Sequence, residues 1–117
     1  MIRKVYLSGG MTGRTRAAYV KEFGDAEKYL RGLGFKVKNP ARFPMARWPW
    51  LFSLLGYKLT LFVDLIILSK CDAVVELDSA DRSKGARTEI AWAEAVGLSH
   101  WALLDADYGF CIKIFPK

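Results

Sequence analysis

Short apolar runs and amphipathic segments alternate along the chain, which is the pattern of a sheet covered by helices. Residues 3–8 are rich in strand-forming side chains and are followed by two glycines, as a buried strand is before a tight turn. Residues 15–33 place apolar side chains at intervals of three and four, with charged side chains between them, and a glycine follows. This spacing predicts an amphipathic helix. Residues 35–38 then alternate apolar and basic side chains, which predicts a second strand before the turn at Asn39-Pro40.

The second half of the chain continues this alternation. Residues 50–70 are apolar nearly all round and predict a buried or subunit-facing helix, and residues 84–96 predict a further amphipathic helix. Additional strands are predicted at residues 73–77, 100–104 and 110–115. Strands and helices in this order are typical of an α/β fold with a doubly wound parallel sheet, here of four to five strands. We therefore expect one domain over residues 1–117.

Composition narrows the class of protein. Of 117 residues, 52% are hydrophobic and 26% are charged, which argues against both a disordered chain and an integral membrane protein. Residues 48–68 approach the length of a membrane span, but Lys58 and Asp64 would each oppose insertion by about 2.5–3.5 kcal/mol. No apolar segment typical of a signal peptide follows the first residues. We expect a cytoplasmic protein with no membrane partner.

Charge and metal-binding residue types restrict the partners. The net charge of +6 favours anionic partners, namely phosphorylated small molecules, nucleic acid or a membrane surface. The cations form no basic run and no nucleic-acid motif, so a nucleic-acid or assembly protein is the weakest hypothesis. Cys71 and Cys111 lack a CxxC spacing, and His100 has no partner at ligand spacing. We expect neither a metal nor a cofactor.

Three places carry candidate chemistry, and in such sheets ligands bind beyond the carboxyl ends of the strands. The turn at residues 8–13 contains three glycines, whose backbone N–H groups can approach a phosphate or a sugar; the alternative is a turn needed only for packing. Asp64 lies among aliphatic side chains, so it either faces a polar site or serves as a structural hydrogen-bond acceptor. Ser83 occupies the expected N-cap position of the last helix, and Glu89 lies on the flank of that helix. Its position alone favours an exposed or ion-paired side chain for Glu89.

Four stretches together resemble the nucleoside 2-deoxyribosyltransferase-like family, over about residues 3–104. They are YLSGGMTG from Tyr6, Asn39-Pro40, DLIILSKCDAVVEL from Asp64, and SKGARTEIAWAEAVGL from Ser83. The resemblance implies a flavodoxin-like or Rossmann-like sheet and oligomers with sites near subunit contacts. It also implies cleavage of the N-glycosidic bond of a deoxynucleoside or its 5′-monophosphate, with the sugar passed to another base or to water.

The resemblance further implies roles for individual residues. Glu89 would be the nucleophile, Asp64 the acid or the group that orients the base, and Tyr6 the residue that positions the nucleophile; these three are the catalytic candidates. The residues expected to bind substrate are Ser8, Gly9, Gly10, Met11, Arg14, Ser83 and Gly85, with Ser83 at the 5′-phosphate. Two positions depart from the family pattern, because Gly10 stands where many relatives have proline and Asp78-Ser79 where they often have Gly-Trp. We expect the loops over the site to differ accordingly.

The chemistry of the residue types agrees with this assignment. Departure of a nucleobase leaves positive charge at C1′, which a carboxylate can stabilise or bond to, while a second group protonates the base. Asp64, among aliphatic neighbours, is expected to be protonated more easily than Glu89. The alternative function is a binding or sensing module of the same fold that does not cleave its nucleotide.

Two further expectations follow from the placement of charge and apolar surface. Cations flank the two loops expected to face the ligand, at Arg14, Arg16, Arg82, Lys84 and Arg87. This favours a 5′-monophosphate over a free nucleoside. The apolar helix at residues 50–70 exposes more hydrophobic surface than a monomer of this size can cover, so we expect a homodimer or larger homo-oligomer.

Overall fold

The computed structural model describes residues 2–11, 14–42, 56–106 and 109–116. Strands and helices alternate in these ranges: β1 (Lys4–Ser8), α1 (Arg16–Gly32), β2 (Lys36–Lys38), α2 (Tyr57–Ser69), β3 (Ala73–Glu76), α3 (Lys84–Ala95), β4 (Ser99–Ala106) and β5 (Gly109–Phe115). Single 3-10 turns occur at Pro40–Arg42 and Ala80–Arg82. The predicted α/β class is therefore confirmed.

The strands form one sheet in the order β2-β1-β3-β4-β5. The first four are parallel, and β1 pairs with both β2 and β3, so Val5 lies between Val37 and Ala73. β5 runs antiparallel to β4, because only two residues separate these strands and a parallel connection needs a crossover of about a dozen or more. The predicted parallel sheet is thus confirmed for four strands, and the fifth is an antiparallel edge strand.

Two cores cover the sheet, one on each face. Because side chains alternate along a strand, Val5 and Leu7 of β1 pack into the core that contains Phe23 and Leu30 of α1. Tyr6 points to the opposite face, into the core that includes residues of α2 and α3. In the sheet, β2 lies on one side of β1 and β3 lies on the other, so the order of the strands reverses at β1. Ligands bind at such a switch point, here beyond the carboxyl ends of β1 and β3.

The helix boundaries follow local signals. Thr15 caps α1 by accepting a hydrogen bond from the Ala18 N–H at 3.2 Å, and Gly34, with φ of 97°, lies just beyond its end. α2 begins after Gly56, whose φ of 84° is not helical, so the predicted continuous helix over residues 50–70 is wrong at this point. The predicted part at residues 50–55 lies outside the described residues.

Of the apolar segment at residues 48–68, the structure describes the part from residue 56 onward. Within the described ranges, no helix has the length and apolar character that crossing a membrane requires.

A buried carboxyl group joins α1 to the turn after β2. Glu27 is 4% exposed and accepts hydrogen bonds from Asn39 Nδ2 at 3.0 Å and Arg31 Nε at 2.6 Å, while Arg42 Nε lies 3.3 Å away. Burial alone would raise the pKa of Glu27, but these donors and the two guanidinium charges together hold the pKa below its ordinary value. The Asn39-Pro40 turn is thus fixed through a charged group of α1.

We predict that Glu27→Ala lowers the free energy of unfolding at neutral pH by about 1–3 kcal/mol, because it leaves the buried amide of Asn39 without its acceptor. The pKa of Glu27 is lower in the folded protein than in the unfolded chain. Its contribution to the free energy of unfolding is therefore present above the ordinary glutamate pKa and is lost as the pH falls through the pKa of the folded protein. Urea denaturation at about pH 7 and about pH 3 measures the difference, which should shrink in acid.

The exposed pair Lys21–Asp25 on the same helix provides the control. Asp25→Asn should change the stability by less than about 0.5 kcal/mol at either pH. A Glu27→Ala effect as small as that of Asp25→Asn would contradict this account.

Candidate active site

A cavity of about 860 Å³ lies beyond the carboxyl ends of β1 and β3. The loop after β1 lines it with Gly9, Gly10, Met11 and Arg14, and α1 adds Glu22. On the opposite side are Thr60, Leu61 and Asp64 of α2, and the loop after β3 contributes Asp78, Ser79 and Asp81. The first turns of α3 complete the lining with Ser83, Lys84, Gly85, Ala86 and Glu89. Such a volume is typical of a small-molecule site.

Glu89 is the most deeply buried acid of this cavity, at 6% exposure. Its Oε2 accepts a hydrogen bond from the Tyr6 hydroxyl at 2.5 Å, and its Oε1 accepts one from Ser8 Oγ at 2.9 Å. Both donors come from β1, two positions apart on the same face of the strand. The alternative of an exposed, ion-paired glutamate is excluded by this geometry.

Tyr6 and Ser8 are fully buried behind Glu89 and do not line the cavity. Ser8 was predicted to bind substrate; the structure instead places its hydroxyl on the Glu89 carboxyl group, with the Ala86 carbonyl oxygen 3.2 Å away. Of the remaining candidates, Gly9, Gly10, Met11, Arg14, Asp64, Ser83, Gly85 and Glu89 all lie on the cavity wall. The sequence-predicted residues therefore form a single cluster.

Burial controls the protonation of both acids. It raises the pKa of Glu89 to about 8, with a further upward contribution from the Asp64 charge, while the hydrogen bonds from Tyr6 and Ser8 act in the opposite direction. Burial also raises the pKa of Asp64 to about 7, and that of the Tyr6 phenol well above its ordinary value. Burial therefore raises the pKa of Asp64, as its aliphatic neighbours predicted, and it raises the pKa of Glu89 as well.

Sequence reasoning missed a hydrogen-bonded group on the wall formed by the loop after β1. Glu22 Oε1 accepts from Arg14 Nη1 at 2.6 Å and from Ser79 Oγ at 2.7 Å. Ser79 Oγ in turn accepts from the Gly10 N–H at 2.9 Å. Gly10 and Ser79 are in direct contact. At both positions the sequence departs from the pattern of the nucleoside 2-deoxyribosyltransferase-like family, which it resembles. The position of Glu22 along α1 did not indicate that it contacts Arg14 and Ser79.

The start of α3 forms the part of the wall predicted to bind phosphate. Ser83 caps the helix, as predicted, by accepting from the Ala86 N–H at 3.1 Å, and Lys84 lies beside it on the wall. Arg14 also lines the cavity but is ion-paired to Glu22 at 2.6 Å. Arg16 and Arg87 are exposed and do not line the cavity; the Arg82 side chain lies outside what the structure describes. Asp78 and Asp81 add negative charge, so the wall is mixed in sign.

Acidic side chains line the cavity, but they are not arranged as metal ligands. In the described part of the chain, no three His, Cys, Asp or Glu side chains are placed to hold a metal ion. His100 lies on β4, where its Nδ1 is 3.1 Å from Glu94 Oε1 and its ring stacks on Phe115.

Comparison with known proteins gives a family but no activity. The sequence model of a family described as a domain of unknown function (DUF4406) matches residues 3–100. The chain belongs to this family. The matched range contains both candidate carboxyl groups and every residue of the cavity wall, so the site is a part of the DUF4406 domain itself. A search of curated proteins found no match to the chain.

We predict that the Glu89 carboxyl group of this DUF4406 domain titrates near pH 8 in carbon NMR spectra of the side chain. Tyr6→Phe should move the titration midpoint upward, because the phenol donates to the ionised form. Asp64→Asn should move it downward, because a neighbouring negative charge is removed. A midpoint at the ordinary glutamate value, unchanged in both variants, would contradict the burial argument.

Proposed function

We propose that this domain cleaves the N-glycosidic bond of a deoxynucleoside or deoxynucleoside 5′-monophosphate, by hydrolysis or by transfer of the deoxyribosyl group. The observation that carries the proposal is the Glu89 carboxyl group, buried at a cavity and held by two hydroxyl donors from one strand. The resemblance to the nucleoside 2-deoxyribosyltransferase-like family supports it, since the residues matched to the catalytic positions of that family meet in one site.

In the proposed reaction, the Glu89 carboxylate attacks C1′ and the bond between C1′ and the base nitrogen breaks. Asp64 gives its proton to the departing base. Water, or a second base, then attacks C1′ and releases the sugar from Glu89, and its proton returns to Asp64.

The hydrogen bonds to Glu89 support this division of roles. The donors Tyr6 and Ser8 stabilise the form in which Glu89 carries the charge. Burial raises the pKa of Glu89 to about 8 and that of Asp64 to about 7, so the coupled pair retains a proton near neutral pH. In the proposed reaction, Asp64 holds this proton when Glu89 is charged.

A binding module that senses a nucleotide without cleaving it is the second candidate function. The raised pKa of Glu89 favours it, because a carboxyl group that is protonated at neutral pH is a weak nucleophile. Binding of a deoxynucleotide by wild-type protein that releases no free base would support this alternative.

We predict that Glu89→Gln and Asp64→Asn each leave the protein folded and lower the rate of base release by about 100-fold or more. Glu89→Gln should block formation of the glycosyl intermediate. Asp64→Asn should slow departure of the base, least for bases that leave easily. Release of free base from a panel of deoxynucleosides and their monophosphates, followed by chromatography, measures both effects. Near wild-type turnover by Glu89→Gln would refute the nucleophile assignment.

We further propose a 5′-phosphate site at the start of α3, formed by Ser83 and by the side chain and backbone N–H of Lys84 together with the backbone N–H of Gly85. The monophosphate should then have a kcat/KM about tenfold or more above that of the matched nucleoside. Ser83→Ala should reduce this preference and leave turnover of the free nucleoside nearly unchanged. Equal kcat/KM values for the two substrates would refute the phosphate site and leave the glycosidase proposal intact.

A homodimer or larger homo-oligomer remains our proposal for the quaternary structure. Leu59, Phe62 and Ile66 recur on one face of α2 and are 45%, 59% and 43% exposed in the described part of the chain. A second copy of the same helix would cover this face. Light scattering at micromolar concentration should give at least twice the mass of one chain. Phe62→Glu should reduce the measured mass to that of one chain. A wild-type mass equal to that of one chain would contradict the proposal.

A further inference from the structure

The Glu22 side chain connects three elements of the cavity. It belongs to α1, its Oε1 accepts from Ser79 in the loop after β3 at 2.7 Å, and the same oxygen accepts from Arg14 Nη1 at 2.6 Å. Arg14 Nη1 also donates to the Gly10 carbonyl oxygen at 2.6 Å, while the Gly10 N–H donates to Ser79 Oγ at 2.9 Å. Both backbone groups of Gly10 are thus fixed by side chains that converge on one carboxylate oxygen.

The loop after β1 also packs closely against Ser79 in the loop after β3. A Cβ atom at Gly10 would lie 3.0 Å from the Ser79 carbonyl oxygen, and one at Gly9 would lie 3.0 Å from Ser79 Oγ. The two loops therefore touch through backbone at the cavity wall. The loop that Glu22 contacts follows directly after Ser8, the last residue of β1. The Ser8 hydroxyl donates to Glu89, so the loop is joined to the strand that positions Glu89.

We propose that Glu22 is a positioning residue, which holds the loop after β1 against the loop after β3 and so sets the shape of the cavity wall that receives the substrate. This inference rests on the proposed function for its kinetic consequence, whereas the loop contact itself is independent of any reaction. Glu22 lines the cavity, and its effect is exerted through Ser79, Arg14 and the backbone of Gly10.

The first experiment measures the loop without any substrate. Amide hydrogen exchange by NMR should show a protected Gly10 N–H in the wild-type protein. Glu22→Ala and Ser79→Ala should each speed exchange of this amide by about tenfold or more, because each removes part of its support. Glu22→Gln keeps a side-chain oxygen that can accept from Ser79, so it should retain most of the protection. Asp25→Asn, which alters an exposed pair on the same helix, should leave exchange at Gly10 unchanged.

The second experiment measures kinetics with whichever of the four common deoxynucleoside 5′-monophosphates the wild-type protein cleaves fastest. Glu22→Ala should raise KM by about tenfold, with kcat within about threefold of wild type, because a displaced wall weakens binding of substrate and transition state alike. A merely structural defect would reduce the amount of active protein, and hence the apparent kcat, without changing KM. Glu22→Gln should restore KM to within about threefold of wild type.

The outcomes separate this proposal from the proposed function. If the wild-type protein cleaves a monophosphate but Glu22→Ala keeps its KM, or if Gly10 exchange is the same in Glu22→Ala as in Asp25→Asn, the positioning role is overturned while the glycosidase proposal stands. If the wild-type protein cleaves neither these four monophosphates nor the four matching deoxynucleosides, the proposed function fails, and the exchange rates alone then decide whether Glu22 holds the loop.

Discussion

A carboxyl group buried against a sheet requires hydrogen-bond donors, and β1 supplies two of them to Glu89. Because side chains alternate along β1, Val5 and Leu7 enter the core under α1 while Tyr6 and Ser8 face α3 and donate to Glu89. Without these donors, burial would disfavour the charged form even more strongly. One strand thus contributes both to the core and to the site.

Much of this arrangement could be predicted from the sequence. Hydrophobic periodicity gave the order of the elements, and the expected capping residue Ser83 marked the start of the last helix. Because ligands bind beyond the carboxyl ends of parallel strands, Gly10, Asp64 and Glu89 were expected at one end of the sheet. All three line the same cavity. The start of α2 was placed wrongly, because an apolar run continues through Gly56 although the backbone there leaves the helical region.

What could not be predicted depends on contacts between distant residues. Glu22 looks like any charged residue on the outer face of a helix, and its role arises only because Ser79, 57 residues further along, lies against the same loop. The raised pKa of Glu89 was also not predicted, since desolvation depends on packing from all sides and the position of Glu89 along its helix does not show that packing. Periodicity likewise could not give the direction of β5, which follows from the length of its connection to β4.

The central claim is that Glu89 forms a bond to the sugar, and trapping that bond tests it most directly. Wild-type protein mixed with a cleaved deoxynucleotide, quenched in acid within one turnover and digested, would be analysed by peptide mass spectrometry. The account predicts a deoxyribosyl adduct on Glu89 that disappears as the sugar product forms, and that accumulates when the second step is slowed. Base release without an adduct at Glu89, or with an adduct on another residue, would contradict it.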